Sequence, residues 1–286
     1  MKLLRNGVLA LLVLSSIFFA SCSTSTGSGR TVTRTEVTGK IGKYATPYEV
    51  GDIVFNDGSA TPYTDGMTLT DEQKSAAIAL IFYKGTGLNS GDDTTTSRTL
   101  GVGLKHDRSG RRAWCLLSAN ACSKNITTIQ CTPVAVDTGE LTFTGDRNGS
   151  DNLEQIAAFL SATDSGTTDD TSTAANYPAF YFAKNYKDTA NNLGTTYADG
   201  WYLPSYAELF QIYANGKGTN KKFDIDSASE ALGGDKFQTS VYWSSSQYDS
   251  EDEYAWLLNF SEGGLHLSFK ANDFDFGYEC AIRVFN

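Results

Sequence analysis

One segment in the second half of the chain decides the fold: Asp199-Gly200-Trp201-Tyr202-Leu203-Pro204-Ser205-Tyr206-Ala207-Glu208-Leu209. Its last part, Ser205-Tyr206-Ala207-Glu208, is a capping box, in which the serine and the glutamate each satisfy a free backbone N–H at a helix start. The spacing therefore predicts a helix that begins here and carries Leu209 and Ile212 on its core face. The preceding Leu203-Pro204 fixes the direction in which the chain enters this helix.

Other helices are predicted on both sides of this segment. Thr70-Asp71-Glu72-Gln73 is a second capping box, and the apolar run 76–83 that follows it is typical of a buried strand. An amphipathic pattern begins at Asp151, and the aromatic stretch 178–186 has proline in its first turn. Ser227 is predicted to cap one further helical turn, which the pair Gly233-Gly234 would end.

Strands are predicted mainly in the C-terminal part of the chain. Upstream, the ranges 47–55, 100–104 and 113–117 have strand-like patterns. Downstream, four strands at 241–246, 254–260, 265–270 and 278–285 are joined by short turns rich in Gly, Asp and Ser. Because helices come first and a strand meander comes last, the pattern predicts a single α+β domain over residues 41–286.

Composition excludes several classes of protein. The 286 residues are 40% hydrophobic and 12% aromatic, which is typical of a globular chain. The formal charge of −10 leaves no basic surface for phosphate backbones, so a nucleic-acid partner is not expected. Only 2 histidines are present, which provides little material for imidazole metal sites or acid–base catalysis.

The N-terminal region has the pattern of an export signal. Residues 1–21 combine basic residues, an apolar run and small residues, and Phe19-Ala20-Ser21-Cys22 resembles a bacterial lipobox with Phe in place of the usual Leu. The resemblance implies that Cys22 is acylated and holds the protein to a membrane. Residues 22–40 are rich in Ser, Thr and Gly and are predicted to form a flexible tether. The expected location is the cell surface, at the outer membrane.

Four cysteines remain after Cys22: Cys115, Cys122, Cys131 and Cys280. An exported compartment is oxidising, so one or two disulfides are expected. Four cysteines allow three connectivities, and the sequence does not select one. The absence of a C-x-x-C pair argues against zinc binding or redox activity.

Three groups of residues resemble a known family. They are the opening segment 199–209, then Tyr242-Trp243-Ser244-Ser245-Ser246, and finally 255–260 followed by Cys280-Ala281-Ile282-Arg283-Val284. In this order they resemble bacterial domains of the C-type lectin fold, which include the formylglycine-generating-enzyme-like group. Together with the lipobox, the chain resembles the treponemal variable lipoproteins that diversity-generating retroelements modify. The resemblance implies a scaffold that displays varied ligand-binding residues within about 242–286.

The same resemblance argues against catalysis. Formylglycine-generating enzymes need an active-site cysteine pair, whereas the last ninety or so residues contain Cys280 alone. The Glu-Pro-Asn and Trp-Asn-Asp motifs of calcium-dependent sugar binding are also absent, since Leu203-Pro204-Ser205 and Trp243-Ser244-Ser245 occupy their places. We therefore expect no enzyme activity, no metal and no cofactor. The partner would be an unknown protein or glycan, and the alternative function is that of a fixed-specificity adhesin or glycan-binding protein.

The resemblance places the binding surface near the C-terminus. If Leu265, Leu267 and Phe269 point inward, strand alternation makes His266 and Ser268 face solvent. Two polar loops that contain aromatic residues are predicted at one end of the meander, although an ordinary solvated acidic rim is the alternative. The expected ligand-binding residues are Tyr248, Asp249, Ser250, Asp252, Tyr254, His266, Ser268, Asp273, Phe274, Asp275, Gly277 and Tyr278.

The retroelement mechanism of the family adds a filter. Changes at adenines of an asparagine codon can produce Asp, His, Tyr, Ser, Gly or Phe, but never Glu, Lys, Gln or Trp. Every expected binding residue passes this filter. The residues that fail it, and are therefore expected to belong to the constant scaffold, are Gln247, Glu251, Glu253, Trp256, Glu262, Lys270 and Glu279.

Overall fold

The computed structural model describes residues 34–91, 93–107, 112–135, 141–163, 169, 176–237, 239–271 and 277–286. The predicted signal peptide, the lipidation residue Cys22 and the binding residues Asp273, Phe274 and Asp275 lie outside these ranges. The chain from Val37 to Asn286 forms one compact unit, which begins slightly before the predicted residue 41. It is an α+β domain, as the sequence predicts.

Strands outnumber helices in the first half of this unit, helices are grouped in its middle, and strands follow at its end. In the first half they are β1 (Asp52–Phe55), β2 (Ala60–Pro62), α1 (Asp71–Ala76), β3 (Ala77–Gly85), β4 (Arg98–Gly103), β5 (Cys131–Ala135), β6 (Leu141–Gly145) and α2 (Asn152–Thr163). In the second half they are α3 (Pro178–Lys184), β7 (Trp201–Tyr202), α4 (Tyr206–Gly216), α5 (Ile225–Ala231), β8 (Val241–Gln247), β9 (Tyr254–Asn259), β10 (Gly264–Phe269), β11 (Gly277–Tyr278) and β12 (Ile282–Val284).

These strands form three sheets. A six-stranded sheet has the order β2-β1-β3-β4-β12-β7, so the last strand of the chain is inserted between β4 and β7. A four-stranded sheet has the order β10-β9-β8-β11, and β5 pairs only with β6. The C-terminal segment therefore contributes to two different sheets.

Both predicted capping boxes are confirmed. The Thr70 side chain accepts a hydrogen bond from the Gln73 N–H, and Gln73 in turn accepts one from the Thr70 N–H. Ser205 and Glu208 make the same reciprocal pair at the start of α4. After α1 the backbone becomes extended at Ala77 and continues directly as β3, as the apolar run predicts.

The second capping box does more than start a helix. Glu208 is fully buried, and its Oε1 lies 2.9 Å from Arg98 Nη1 and accepts a hydrogen bond from the Tyr202 hydroxyl at 2.9 Å. Its Oε2 accepts the backbone N–H groups of Ser205 at 2.8 Å and Gly149 at 3.0 Å. A buried charge is tolerated only when it is paired and hydrogen-bonded, and here both oxygens are satisfied.

The four-stranded sheet is covered on both faces. Successive residues of its strands point into two different core clusters: Trp243 and Leu257 into one, and Tyr242 and Leu258 into the other. All four side chains are fully buried. The sheet therefore lies in the middle of the domain, and strand alternation no longer separates inside from outside.

The structure corrects several predicted elements. The predicted last strand is divided, because β11 pairs with β8 in parallel while β12 pairs with β4 and β7 in the other sheet. Residues 113–117 are not a strand; the Leu116 N–H bonds to the Asn176 carbonyl outside any ladder. Residues 47–51 form a turn before β1, where the Asp52 carboxylate accepts the backbone N–H groups of Tyr48 and Glu49.

Two further differences concern a cap and a strand pair. The cap of α5 is Asp224 and not Ser227, since the Asp224 carboxylate accepts the Ser227 backbone N–H. The antiparallel pair of β5 and β6 was not predicted; each strand has only five residues, and β5 contains Pro133, which disfavours a strand.

The Glu208 network generates a prediction about stability. Replacement of Glu208 by Ala should lower the free energy of unfolding by about 3–5 kcal/mol, because it leaves the guanidinium of Arg98 buried without a counter-charge. The matched control is Gln73→Ala, which removes the corresponding side chain from the exposed capping box of α1 and should cost less than about 1 kcal/mol. Urea unfolding of both variants measures the difference; equal losses would show that capping alone accounts for the role of Glu208.

Candidate ligand-binding surface

The loop between β8 and β9, residues 248–254, presents the largest group of predicted binding residues. A turn closes it, with the Tyr248 N–H bonded to the Tyr254 carbonyl at 3.0 Å and the Tyr254 N–H to the Glu251 carbonyl at 3.3 Å. Asp249, Ser250 and Asp252 are exposed, and the two tyrosines are half-buried. We call this segment the β8–β9 loop.

The base of the β8–β9 loop is held by buried residues. Gln247 is fully buried, and its Oε1 accepts the Ile126 N–H at 3.0 Å while its Nε2 donates to the Asp252 carbonyl at 3.4 Å. The Lys270 N–H donates to the Glu253 carbonyl at 2.8 Å. The loop backbone is thus anchored on both sides while its polar side chains reach solvent.

The two loop tyrosines stand on aromatic residues of the sheet. Tyr248 packs edge-on against Trp256, with ring centroids 5.0 Å apart, and Tyr254 meets Phe269 at 6.1 Å. Each tyrosine ring is therefore supported by an aromatic neighbour of the sheet and remains partly exposed. Such rigid, half-exposed tyrosines are typical contact anchors.

Neighbouring segments extend this surface. The Thr132 hydroxyl of β5 donates to the Asp249 carboxylate at 2.8 Å. On the other side, Ser123 and residues 250–253 line a shallow cleft of about 360 Å³. Asp249, Glu251, Asp252 and Glu253 give the surface a strongly negative potential, which favours cationic or hydrogen-bond-donating partners over anionic ones.

Of the other predicted binding residues that the structure describes, some lie where strand alternation predicts and others do not. His266 is exposed, as expected, and Tyr278 is half-buried against Tyr242 at 5.5 Å. The prediction that Ser268 faces solvent is wrong, because it is only 2% exposed, whereas Leu265, predicted to point inward, is 50% exposed. Both faces of the sheet are covered near Ser268. The exposure of a residue in β10 therefore depends on how far along the strand it lies, and not on which face its side chain points to.

The prediction that Gly277 belongs to the ligand-binding surface is also wrong. It is buried, and a Cβ atom built on it would lie 2.4 Å from Nε1 of Trp243, a distance that no real side chain tolerates. The position therefore requires glycine so that β11 can approach the indole. Because position 277 has no room for a side chain, it cannot contribute a variable side chain to a binding surface.

The expectation that the two polar loops share one end of the meander holds at one flank of the second loop and fails at the other. Before that loop, the Lys270 N–H donates to the Glu253 carbonyl of the β8–β9 loop. Gly277 and Tyr278 pair with Val241 and Tyr242 at the start of β8, whereas the β8–β9 loop follows its end. A strand of this length spans roughly 20 Å. The observed surface is therefore centred on the β8–β9 loop.

The residues expected to form the constant scaffold fall into two groups. Gln247, Trp256, Lys270 and Glu279 are buried, whereas Glu251, Glu253 and Glu262 are exposed. Glu279 is unusual because, among the residues that the structure describes, neither of its carboxylate oxygens has a hydrogen-bond partner. Burial raises its pKa well above the ordinary value, and Asp107 adds to this rise while Arg112 opposes it.

A cleft that sequence reasoning missed is lined by none of the residues of the β8–β9 loop. It measures about 500 Å³, and Leu153, Phe180 and Trp201 contribute to its apolar wall. At its rim Lys184 Nζ lies 3.6 Å from Glu154 Oε1. The lining comes from α2, α3 and β7, which are far apart in sequence, so no local motif could have revealed it. Its volume is within the range of small-molecule sites.

Among the residues that the structure describes, no three His, Cys, Asp or Glu side chains are grouped so that they could hold a metal ion. Within the same residues, no helix has the length and apolar character needed to cross a bilayer.

Comparison with known proteins informs the fold only. No protein-family model matches the chain, and no curated protein matches it. A solved structure of a fimbrial protein from Bacteroides ovatus ATCC 8483 is similar, with a TM-score of 0.52 at 13% sequence identity. The similarity covers 82% of this chain and 48% of the fimbrial chain, so this protein spans about half the length of that one.

Burial of Glu279 generates a prediction about pH dependence. A raised pKa means that the folded state holds a proton that the unfolded state releases, so stability is lost as pH rises above the ordinary glutamate value. Glu279→Gln should match the wild type near about pH 4 and exceed it by roughly 1–3 kcal/mol near about pH 8. Urea unfolding at both pH values tests this. Glu262→Gln, at an exposed position, is the control, and a gain that is equal at both pH values would contradict the assignment.

Proposed function

We propose that this protein is an exported, lipid-anchored lipoprotein that displays a variable ligand-binding surface, centred on the β8–β9 loop, on a C-type-lectin-fold scaffold. The observation that carries the proposal is a contrast in exposure. Asp249, Ser250 and Asp252, which adenine mutagenesis can produce, are exposed, and Gln247 and Trp256, which it cannot produce, are buried beside them; Glu251 and Glu253, which it also cannot produce, are exposed in the same loop. Variation of the first group would leave the core intact.

The packing of the family-like segments supports the proposed lectin fold. Trp201 lies in β7, Trp243 in β8 and Trp256 in β9, and each is buried in one of the two core clusters. These residues therefore act as scaffold, and binding belongs to the segments that they support. We assign the protein no catalytic role, no metal and no cofactor.

The chemistry of the β8–β9 loop supports recognition of a protein or glycan partner. Tyrosines supply rigid contact area at low entropic cost, and Ser and Asp supply directed hydrogen bonds. Asp249 and Asp252 would select against nucleic acids and other polyanions. The variable residues would choose the partner, so different copies of the gene would bind different ligands.

The proposed location is the cell surface, at the outer membrane. The lipobox at Phe19-Ala20-Ser21-Cys22 and the tether at 22–40 are the main support. The structural neighbour is described as a fimbrial protein, a kind of protein that is displayed outside the cell, and this agrees with the proposal.

The variable-surface proposal predicts a pattern in the DNA. Among isolates, codons for Asp249, Ser250, Asp252 and His266 should differ, whereas those for buried residues such as Gln247 and Gly277 should not. A near-copy of codons 242–286, with adenines at the varying positions, should lie beside a reverse-transcriptase gene. Sequencing the locus from many isolates checks both points, with codons 41–240 as the internal control. Uniform variation, or no near-copy, would favour a fixed-specificity protein.

The lipid anchor predicts a change in fractionation. Cys22→Ala should move the protein from the detergent phase to the aqueous phase, because the acylated residue is lost. Ser23→Ala, one residue away, should leave the partition unchanged. Phase separation followed by immunoblotting measures both variants, and a Cys22→Ala protein that stays in the detergent phase would rule out the anchor.

The second candidate function is that of a fixed-specificity adhesin or glycan-binding protein on the same fold. The observation that favours it is the 500 Å³ cleft between α2, α3 and β7, which uses none of the residues expected to vary. Its combination of apolar wall and charged rim suits a small polar ligand such as a sugar. The sequencing experiment separates the two candidates, because this one requires the β8–β9 loop to be constant.

A further inference from the structure

A pair of cysteines lies beneath the β8–β9 loop. Cys115 and Cys122 are buried, at 0% and 4% exposure, and a hydrogen bond joins their two thiol groups. A surface turn connects them, and its Leu117 is 76% exposed. The sequence alone left the pairing of the four mature cysteines open, and this contact distinguishes one of the three connectivities.

The other two cysteines lie in a different part of the core. Cys131 and Cys280 belong to the second core cluster, whereas Cys115 and Cys122 belong to the first. Burial dominates the raised pKa of both Cys131 and Cys280, and no cysteine contributes to either shift. They are expected to remain buried thiols.

A buried lysine stands beside the cysteine pair. Lys270 Nζ donates to the carbonyls of Ala121 at 3.1 Å and Lys124 at 3.2 Å, and it lies 5.1 Å from the ring centroid of Trp114. Burial lowers its pKa to about 8, while the two nearby thiol groups act in the opposite direction. The ammonium group is thus fixed by the same turn that carries Cys122.

This arrangement distinguishes the two sulfur atoms. The hydrogen bond from Cys115 lowers the pKa of Cys122, burial opposes this shift, and Lys270 reinforces it. The same hydrogen bond raises the pKa of Cys115, and burial adds to the rise. The directions of the two pKa shifts favour Cys122 as the attacking sulfur and Cys115 as the thiol that keeps its proton.

We propose that Cys115 and Cys122 form an oxidisable pair, beside Lys270, that closes to a disulfide by exchange with an external disulfide. The external disulfide belongs to a thiol–disulfide oxidoreductase or to oxidised glutathione. The proposal concerns covalent chemistry and does not depend on ligand binding.

The exchange balances in two steps. The Cys122 sulfur attacks one sulfur of the external disulfide, which forms a mixed disulfide and releases the other sulfur as a thiolate. That thiolate takes the proton of Cys115, whose sulfur then attacks Cys122 and releases the second external sulfur, which is protonated by solvent. Two protein thiols are oxidised, and one external disulfide is reduced to two thiols.

The disulfide would stiffen the support of the β8–β9 loop. The Cys115 N–H donates to the Lys270 carbonyl at 3.1 Å, and the Lys270 N–H donates to the Glu253 carbonyl at 2.8 Å. The Ile126 N–H, beyond Cys122, donates to Gln247. A crosslink across residues 115–122 therefore restrains both contacts that anchor the loop.

Peptide mapping tests the pairing directly, because trypsin separates the cysteines. Cleavage after Arg112, Lys124, Arg147, Lys270 and Arg283 yields peptide 113–124 with both Cys115 and Cys122, whereas Cys131 and Cys280 fall in separate peptides. The mature-length protein is equilibrated with oxidised glutathione, unfolded, alkylated with iodoacetamide and digested. The expected result is a peptide 113–124 that lacks two hydrogens and carries no alkyl group, with Cys131 and Cys280 fully alkylated.

Other results of the mapping would overturn the proposal. These are complete alkylation of Cys115 and Cys122 after oxidation, or a crosslink that includes Cys131 or Cys280. In a Cys122→Ser variant, Cys115 should become alkylatable; the mapping of the wild-type protein decides the question even if this variant does not fold.

The rate of alkylation tests the role of Lys270. In the reduced, folded protein, Cys122 should react with iodoacetamide before Cys115, Cys131 or Cys280. Lys270→Met should slow this reaction about tenfold, the change expected when the thiol pKa rises by about one unit at a pH below it. Lys124→Met removes a positive charge from the same turn and should leave the rate unchanged. Equal rates in the wild type and Lys270→Met would exclude Lys270 from the site.

Discussion

The buried carboxylate of Glu208 holds together parts of the chain that are remote in sequence. One oxygen bonds to Arg98 of β4 and Tyr202 of β7, and the other bonds to the start of α4 and to the N–H of Gly149. A Cβ atom on Gly149 would lie 2.5 Å from the Ser205 nitrogen, so this approach requires glycine. Because one group serves as both helix cap and ion-pair partner, the local and long-range structures depend on each other.

The triple serine of β8 has a comparable role in the second sheet. Ser244 donates to the Trp256 carbonyl of β9 at 2.7 Å, and Ser246 accepts the Tyr206 N–H of α4 at 2.9 Å. Ser245 and Asn152 of α2 are joined by a hydrogen bond of 2.9 Å. Three consecutive hydroxyl groups thus bind three different elements, and the buried strand carries no unsatisfied serine. This fixes the frame from which the β8–β9 loop projects, so its exposed side chains can change without disturbing the core.

Much of the local structure could be predicted because its signals are local. A capping box needs residues three positions apart, so Thr70 and Ser205 identify α1 and α4 without knowledge of the rest of the chain. The strand β9 is also evident, since the continuous apolar run 255–258 is bounded by polar residues, a pattern that favours a buried strand. The exposed part of the candidate site, Asp249 to Asp252, follows from local turn signals. The pairing of β5 with β6 was missed, although Leu141-Thr142-Phe143-Thr144 alternates apolar and polar residues as a strand does.

The sequence by itself therefore determined the α+β class, the helix starts and the polar turn between β8 and β9, since each depends on residues within a few positions of one another. Only the tertiary structure decided that the last segment divides between two sheets, that Ser268 and Gly277 are buried, and that Cys115 meets Cys122. These features depend on which distant surfaces cover each face of a strand. Alternation along a strand defines its two faces, but it does not state which of them another layer will cover.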